Sequence, residues 1–240
     1  GQTFGQVNCG MAAVSNTGRD ANWTGHDLAG ANLFGFGRLA WNPERQAEEI
    51  AKEWTALQIS RNREVIDGVT KILMESREVY EKYTAPLGIG FMVNPSFHYG
   101  PNPEGYEYSK WGTYHRADHV AIGVDRSPEG TGYSEQYFEK NAAVYRNKET
   151  CPENLLLFFH RLQYTYKMKS GKTLIQHIYD THFEGYEDVK RMQKKWLQLE
   201  DKIPQQIFER VKERFEKQVE NSREWRDVIN SFFYRKSMIP

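Results

Sequence analysis

The chain has no net charge and no long apolar run. Its 240 residues contain 32 Lys and Arg against 32 Asp and Glu, which argues against a protein that binds nucleic acid by charge. The longest apolar stretches, such as Leu155 to Phe159, are far shorter than the roughly 20 residues needed to cross a bilayer. The N-terminus lacks the charged and apolar regions of a signal peptide. We therefore expect neither a nucleic-acid partner nor a membrane partner.

Cysteine is scarce, and no phosphate-binding motif is present. The two cysteines, Cys9 and Cys151, lie far apart and form no CxxC pair, which fits neither a disulfide framework nor a zinc ribbon. The only closely spaced glycines of interest, Gly35 and Gly37, lie inside a helical pattern, where they favour close helix packing. The sequence therefore predicts a cytoplasmic protein without a cofactor or metal.

Glycine is nearly missing from the last hundred residues, which contain only Gly171 and Gly185. That region is therefore predicted to be helical, with one helix over 153–168 after Pro152 and a second over 172–199. A third helix begins at Pro204, and Asn221 with Glu224 resembles a capping box that begins a fourth.

Two further helices are predicted upstream, over 42–59 and 63–83. Asn42 and Pro43 form an N-cap and first helical position. The apolar spacing predicts that the first helix buries Ala47, Ile50, Ala51, Trp54 and Leu57, and that the second buries Val65, Ile66, Val69, Ile72, Leu73, Val79 and Tyr80. Long helices on short connections indicate a mainly α, bundle-like domain.

Two regions depart from this helical pattern. Residues 85–133 contain five of the nine prolines and no periodic stretch, yet they carry eight aromatic residues, which argues for an ordered functional segment. Residues 1–41 are predicted to form strand 6–14, loop 15–26 and helix 27–41. Because a lone parallel strand has two unsatisfied edges, we expect 1–41 to be the last βα unit of a sheet or barrel and 42–240 to be a separate α-helical domain.

Long strings of residues in both regions resemble one enzyme family. The strings are NTGRDANWTGH at 16–26, ANLFGFGRLAWNP at 31–43, WGTYHRAD at 111–118 and IGVDR at 122–126. They resemble the family 67 α-glucuronidases, and the similarity extends along the whole chain. The resemblance implies an enzyme with an N-terminal domain, a (β/α)8 barrel and an all-helical C-terminal domain that also forms the dimer.

The resemblance also implies the reaction. The family removes 4-O-methylglucuronic acid, held by an α-1,2 bond, from xylooligosaccharides with inversion, which needs two carboxyl groups about 6.5 to 9.5 Å apart. In the family these carboxylates lie on barrel strands before the matched region. We therefore expect no catalytic residue here, and a chain that is inactive alone but supplies a wall of the substrate pocket, contacts to the other domains and the homodimer interface.

Seven residues are predicted to contact the substrate. Barrel active sites lie at the carboxyl ends of strands, which makes the loop after the predicted strand a candidate pocket rim, with Asn16, Arg19, Asp20 and Trp23. Alternatively, Arg19 and Asp20 pair with the barrel and Trp23 packs under the next helix. Trp111 offers a flat apolar face for a pyranose and one N–H donor, and the resemblance assigns a tryptophan of this domain to the sugar. His115 and Arg116 complete the set.

Other interpretations of the same segment remain open. His115 and His119 are spaced for a metal on one helical face, which would suit a small metallohydrolase, although a structural network is the simpler reading. Arg116 or Arg126 could pair with the uronate carboxylate, whereas Asp125 beside Arg126 could form a local turn. A rival to the enzyme interpretation is a stand-alone helical module that binds carbohydrate or protein without catalysis.

Overall fold

The structure is a computed structural model that describes residues 10, 12, 14, 24–90, 92–105 and 115–240. Within these residues the fold is mainly α, as predicted. It contains seven α-helices and one two-stranded sheet: α1 Gly30–Trp41, α2 Ala47–Gln58, α3 Arg63–Thr84, β1 Ala121–Ile122, α4 Glu139–Arg146, α5 Leu156–Phe159, β2 Leu162–Gln163, α6 Leu174–Leu197 and α7 Gln205–Ser237. The predicted strand 6–14 lies almost entirely outside the described residues.

The chain divides into two compact units. Unit 1 comprises residues 1–79 and 188–219, and unit 2 comprises residues 80–187 and 220–240. The predicted boundary between 41 and 42 stays a prediction.

The core of unit 1 is built around Trp196 near the end of α6. The Trp196 ring is fully buried and stacks on Phe208 of α7 with ring centroids 5.9 Å apart. A Cβ atom at Gly68 of α3 would lie 3.1 Å from Leu199, so these segments pack without space for a side chain there. At the surface, Arg210 pairs with Asp27 at 2.7 Å and Lys195 with Glu75 at 3.3 Å.

The core of unit 2 combines the end of α7 with irregular chain. Phe232 and Phe233 are fully buried, with ring centroids 5.1 Å apart. The Tyr179 hydroxyl donates to the carbonyl of Ile239 at 2.8 Å, which holds the C-terminal residues against α6. The antiparallel pair of β1 and β2 aligns Ala121 with Gln163 and Ile122 with Leu162, and it supports the loop described below.

Most of the predicted helices are present, but their bounds and faces differ in detail. Helices α1, α3 and α6 lie where the periodicity predicts them. Helix α2 begins at Ala47 because Asn42 ends α1 and its side chain accepts from the amide of Glu44 at 3.1 Å. The burial prediction is wrong for Ala47, which is exposed, and for Leu57 and Tyr80, which are 56% and 55% exposed.

Two helix predictions are wrong. The predicted helix 153–168 stops at Phe159, because His160 has an extended backbone (φ −130°, ψ 145°) and the next residues pair with β1. The predicted break at Asn221 is missing, and α7 continues through it. The reason is that the buried stripe continues there: Ser222 is fully buried, as are Trp225 and Ile229 on the following turns.

No described helix combines the length and the apolar character that spanning a membrane requires. Helix α6 instead has both buried and exposed positions along its length. Its last turn carries Lys194 and Lys195, where cations interact favourably with the helix dipole.

A buried imidazole in α6 predicts a loss of stability in mild acid. His182 is fully buried, and its Nδ1–H donates to the carbonyl of Ile178 at 2.7 Å. Burial lowers the pKa of His182 to about 4, so between about pH 6.5 and 4 the unfolded chain binds a proton that the folded chain does not. Stability is therefore lost as the pH falls, by about 2 kcal/mol between pH 7 and pH 5 for this residue.

Urea unfolding at the two pH values measures this loss. His182→Leu should reduce the difference between pH 7 and pH 5 by that amount, whatever its effect on absolute stability. Ile178→Val is a matched control, because it removes a buried methyl group one turn away and costs about 1 kcal/mol at both pH values. An unchanged pH dependence in His182→Leu would contradict the prediction.

Candidate functional site

The candidate site is the loop over residues 115–126 in unit 2. It belongs to the aromatic-rich segment 85–133 and follows residues 106–114, which lie outside the described residues. Strand β1 lies in its middle, with Ala121 and Ile122 buried. Gly123 follows with φ +95°, and its amide donates to the carbonyl of His115 at 2.7 Å. The loop is therefore closed on itself by backbone hydrogen bonds and anchored by its strand.

His115 anchors the loop to the preceding chain. Its Nε2 lies 2.6 Å from the carbonyl of Pro103, and its Nδ1 accepts from the amide of Ala117 at 3.0 Å. A neutral ring with the proton on Nε2 satisfies both contacts. The ring is buried and packs edge-to-face on Phe232, with centroids 5.3 Å apart. These contacts give His115 a structural role, and its predicted contact with substrate stays a prediction.

The same hydrogen bond bears on Trp111. Residues 106–114 lie outside the described residues, and so do Trp111, Asn16, Arg19, Asp20 and Trp23. Pro103 and His115 stand on either side of 106–114, and their hydrogen bond holds these two flanking points together. The hydrogen bond thus joins the two described residues Pro103 and His115 across the segment that contains Trp111.

Asp118 organises the exposed face of the loop. Its Oδ1 accepts from the amides of Val120 at 2.8 Å and Ala121 at 2.9 Å, and its Oδ2 lies 2.6 Å from Arg161. The two backbone hydrogen bonds, followed by the charge of Arg161, lower the pKa of the Asp118 carboxyl group. The Asp118 carboxylate therefore stays ionised at pH values below those at which an aspartate side chain usually titrates.

Arg161 also reaches Arg116. Its Nη1 donates to the Arg116 carbonyl at 2.5 Å, while the Arg116 side chain is exposed and its backbone is left-handed at φ +45°. The Tyr164 hydroxyl donates to the carbonyl of Asp118 at 2.7 Å. Arg161 and Tyr164 are thus positioning residues. The sequence did not predict this role, because both lie within the predicted helix 153–168, whereas the observed helix ends at Phe159.

The Asp118 network makes a graded prediction. Asp118→Ala removes two backbone hydrogen bonds and should cost about 2 kcal/mol of unfolding free energy. Arg161→Met removes a half-exposed ion pair and the hydrogen bond to the Arg116 carbonyl, and should cost about 1 kcal/mol. Asp118→Asn keeps an oxygen acceptor and should recover most of the loss. Chemical denaturation measures all three, and an Asn variant as unstable as the Ala variant would argue against the backbone contacts as the cause.

Arg126 and Asp125 are engaged within the protein. The Arg126 guanidinium donates to the carbonyl of Phe158 and lies over the Phe158 ring, 4.1 Å from its centroid. Asp125 accepts from the amide of Ser127 at 3.0 Å and from its hydroxyl at 2.5 Å, which is the local turn considered above. Arg126 is therefore poorly placed to bind a uronate carboxylate.

The described residues offer no metal centre. Among them, no three His, Cys, Asp or Glu side chains converge as metal ligands would. His119 is exposed, whereas His115 uses both ring nitrogens in hydrogen bonds, so the spacing of the two histidines does not produce a site.

The two units each contain a cavity, and the two cavities differ in character. In unit 1 a cavity of 830 Å³ is lined mainly by apolar residues of α1, α2 and α3, including Leu39, Ile50 and Ile72. In unit 2 a polar cleft of 270 Å³ lies beside Arg161, where Arg146 pairs with Glu135 at 2.6 Å and Glu139 at 2.8 Å. Arg146 is therefore engaged by two carboxylates within the protein.

Comparison with known proteins identifies relatives for the whole chain. Residues 24–240 match the family described as glycosyl hydrolase family 67 C-terminus. The chain is 42% identical over 241 residues to the probable alpha-glucuronidase A of Aspergillus fumigatus. It is 41% identical over 242 residues to alpha-glucuronidase A of Aspergillus tubingensis and 40% identical over 242 residues to the probable alpha-glucuronidase A of Aspergillus niger.

These matches cover 100% of the chain but only 29% of each relative. The chain thus spans less than a third of the length of these relatives. A family match over 24–240 together with identity of about 40% along the entire chain shows common descent. The chain therefore belongs to glycosyl hydrolase family 67 and corresponds to the C-terminal part of these relatives.

Proposed function

We propose that this chain is the C-terminal domain of an α-glucuronidase that hydrolyses the α-1,2 bond of (4-O-methyl)glucuronic acid on xylooligosaccharides with inversion. The observation that carries this proposal is the match along the entire chain to proteins named alpha-glucuronidase A. The general acid and base that inversion requires are contributed by the part of the enzyme outside this chain. The loop over 115–126 then acts as a preformed wall of the sugar pocket.

The exposed apolar side chains of α1 support the proposal that this chain packs against another part of the enzyme. This helix contains Leu33, Phe34, Phe36, Leu39 and Trp41, and none of its residues is buried. Leu39 is 40% and Trp41 91% exposed, and α1 also lines the apolar cavity of unit 1. In this proposal the barrel covers the exposed side chains of Leu39 and Trp41.

This proposal gives separate roles to the loop residues. His115 and Asp118 position the backbone, while Arg116, whose side chain is exposed, and Trp111 contact the substrate. In this scheme no step of proton transfer is assigned to a residue of this chain. Homodimerisation through the helices and a cytoplasmic location stay predictions.

Hydrolysis of aldobiouronic and aldotriouronic acids tests the proposal. The chain alone should release no glucuronic acid, whereas a mixture with the N-terminal and barrel portion of a relative should, provided the two co-elute on gel filtration. Trp111→Ala in the active mixture should then raise KM. Activity of the chain alone would contradict the placement of the carboxylates outside it, and an inactive mixture that co-elutes would favour the binding-module interpretation.

A further inference from the structure

A braced hairpin over residues 92–102 presents two aromatic rings to solvent. Val93 and Pro101 form an antiparallel bridge, and the Asn102 amide donates to the carbonyl of Met92 at 2.7 Å. The hairpin therefore begins and ends in backbone pairing, and Met92 and Gly100 at its base are buried. Only the turn between them projects.

Asn94 holds the turn in one shape. Its amide donates to the carbonyl of Gly100 at 3.1 Å, and its carbonyl accepts from the amide of His98 at 3.0 Å. Its side chain donates to the carbonyl of Tyr99 at 2.9 Å and accepts from Asn102 at 3.0 Å. Every polar group of Asn94 is thus used to brace the turn.

The turn carries backbone strain and exposed rings together. Ser96 and His98 adopt left-handed backbones at φ +68° and +50°, a conformation that costs free energy for residues other than glycine. Phe97 is 87% and Tyr99 66% exposed. Strained backbone that is held by surrounding contacts occurs preferentially at binding and active sites, so the bracing of an exposed aromatic turn points to a ligand.

We propose that Phe97 and Tyr99 bind the xylose chain of the substrate, beyond the residue that carries the uronic acid. This inference rests on the proposed function, which requires such a chain to leave the pocket. Aromatic faces suit the C–H surfaces of pyranose rings, and a tyrosine hydroxyl adds a hydrogen-bonding group. Residues 95–99 contain no Asp, Glu, Lys or Arg, which matches a neutral sugar chain rather than a polyanion.

The hairpin is joined to the candidate site by one residue. Asn102, which ends the backbone pairing, precedes Pro103, whose carbonyl is held by His115. The hairpin that presents the two rings is therefore directly followed by the residue that His115 holds. In this proposal the sugar chain extends from the pocket wall to the turn.

Binding of neutral xylohexaose to the 240-residue chain tests the inference without hydrolysis. Isothermal titration of the chain should show binding, and Phe97→Ala or Tyr99→Ala should raise Kd about fivefold. Phe183→Ala is the matched control, because Phe183 is an exposed aromatic residue of α6 in the same unit, 54% exposed. It should leave Kd unchanged. Absent binding by the chain, or equal Kd values for chain and variants, would overturn the inference.

Hydrolysis separates this inference from the function on which it rests. In the mixture with the barrel portion, Phe97→Ala should lower kcat/KM for aldopentaouronic acid about fivefold relative to aldobiouronic acid, which has a single xylose. An inactive mixture together with intact xylohexaose binding would reject the proposed function alone. Loss of co-elution in Phe97→Ala with unchanged xylohexaose binding would make the turn a domain contact and overturn the inference.

Discussion

Gly123→Ala is expected to destabilise the protein by about 3 kcal/mol or more, because strain and a steric clash add. Gly123 has a left-handed backbone at φ +95°, and a Cβ atom there would lie 2.2 Å from the carbonyl oxygen of His160 and 3.0 Å from that of Leu157. Both are backbone atoms, so relief requires the chain itself to shift. The amide of Gly123 also donates to His115, so the shift reaches the loop's anchor.

Gly132→Ala separates the two contributions. Gly132 is left-handed at φ +68°, but a Cβ atom there meets no atom within 4 Å. It should therefore cost only the backbone strain, about 1 kcal/mol. Urea unfolding followed by circular dichroism measures both variants, and equal losses would mean that the contact with His160 relaxes freely. In the complemented enzyme, Gly123→Ala should also lower kcat/KM, because it displaces the loop that we propose as a wall of the pocket.

The helical part of the fold was predictable because its signal is local. Helices α3 and α6 carry apolar residues every three to four positions and have few residues that break a helix. The failure at 153–168 has a non-local cause, since the two residues of β2 leave helical geometry to pair with β1 some 40 positions earlier. The false break at Asn221 shows the opposite error, in which a local capping pattern was outweighed by a continuous buried stripe.

The same difference between local and non-local signals applies to the candidate site. Long strings of residues identified the segment around His115, because residue identity is what a family resemblance compares. The partners of that segment depend on the register of β1 and β2, which no local pattern reveals. Arg161 illustrates this limit: its contact with Asp118 at 2.6 Å follows from the pairing of Ile122 with Leu162.

Trp196→Ala is expected to give the largest loss of stability, about 4 kcal/mol of unfolding free energy. The ring is fully buried in unit 1 and stacks on Phe208 with planes 9° apart. Phe215 lies 6.4 Å from it, centroid to centroid. The indole Nε1–H also donates to the carbonyl of Phe208 at 3.1 Å. Truncation therefore removes a large apolar contact and a buried hydrogen bond, and it leaves a cavity between α6 and α7.

Two matched variants assign that loss to its parts. Trp196→Phe keeps a ring against Phe208 but loses the hydrogen bond, and should cost about half as much. Trp41→Ala removes the same side chain from a position that is 91% exposed, and should change stability by less than about 0.5 kcal/mol. Urea unfolding followed by circular dichroism avoids any dependence on tryptophan fluorescence. A comparable loss in Trp41→Ala would show that this side chain packs within the chain, and would remove the reason for proposing that a barrel covers it.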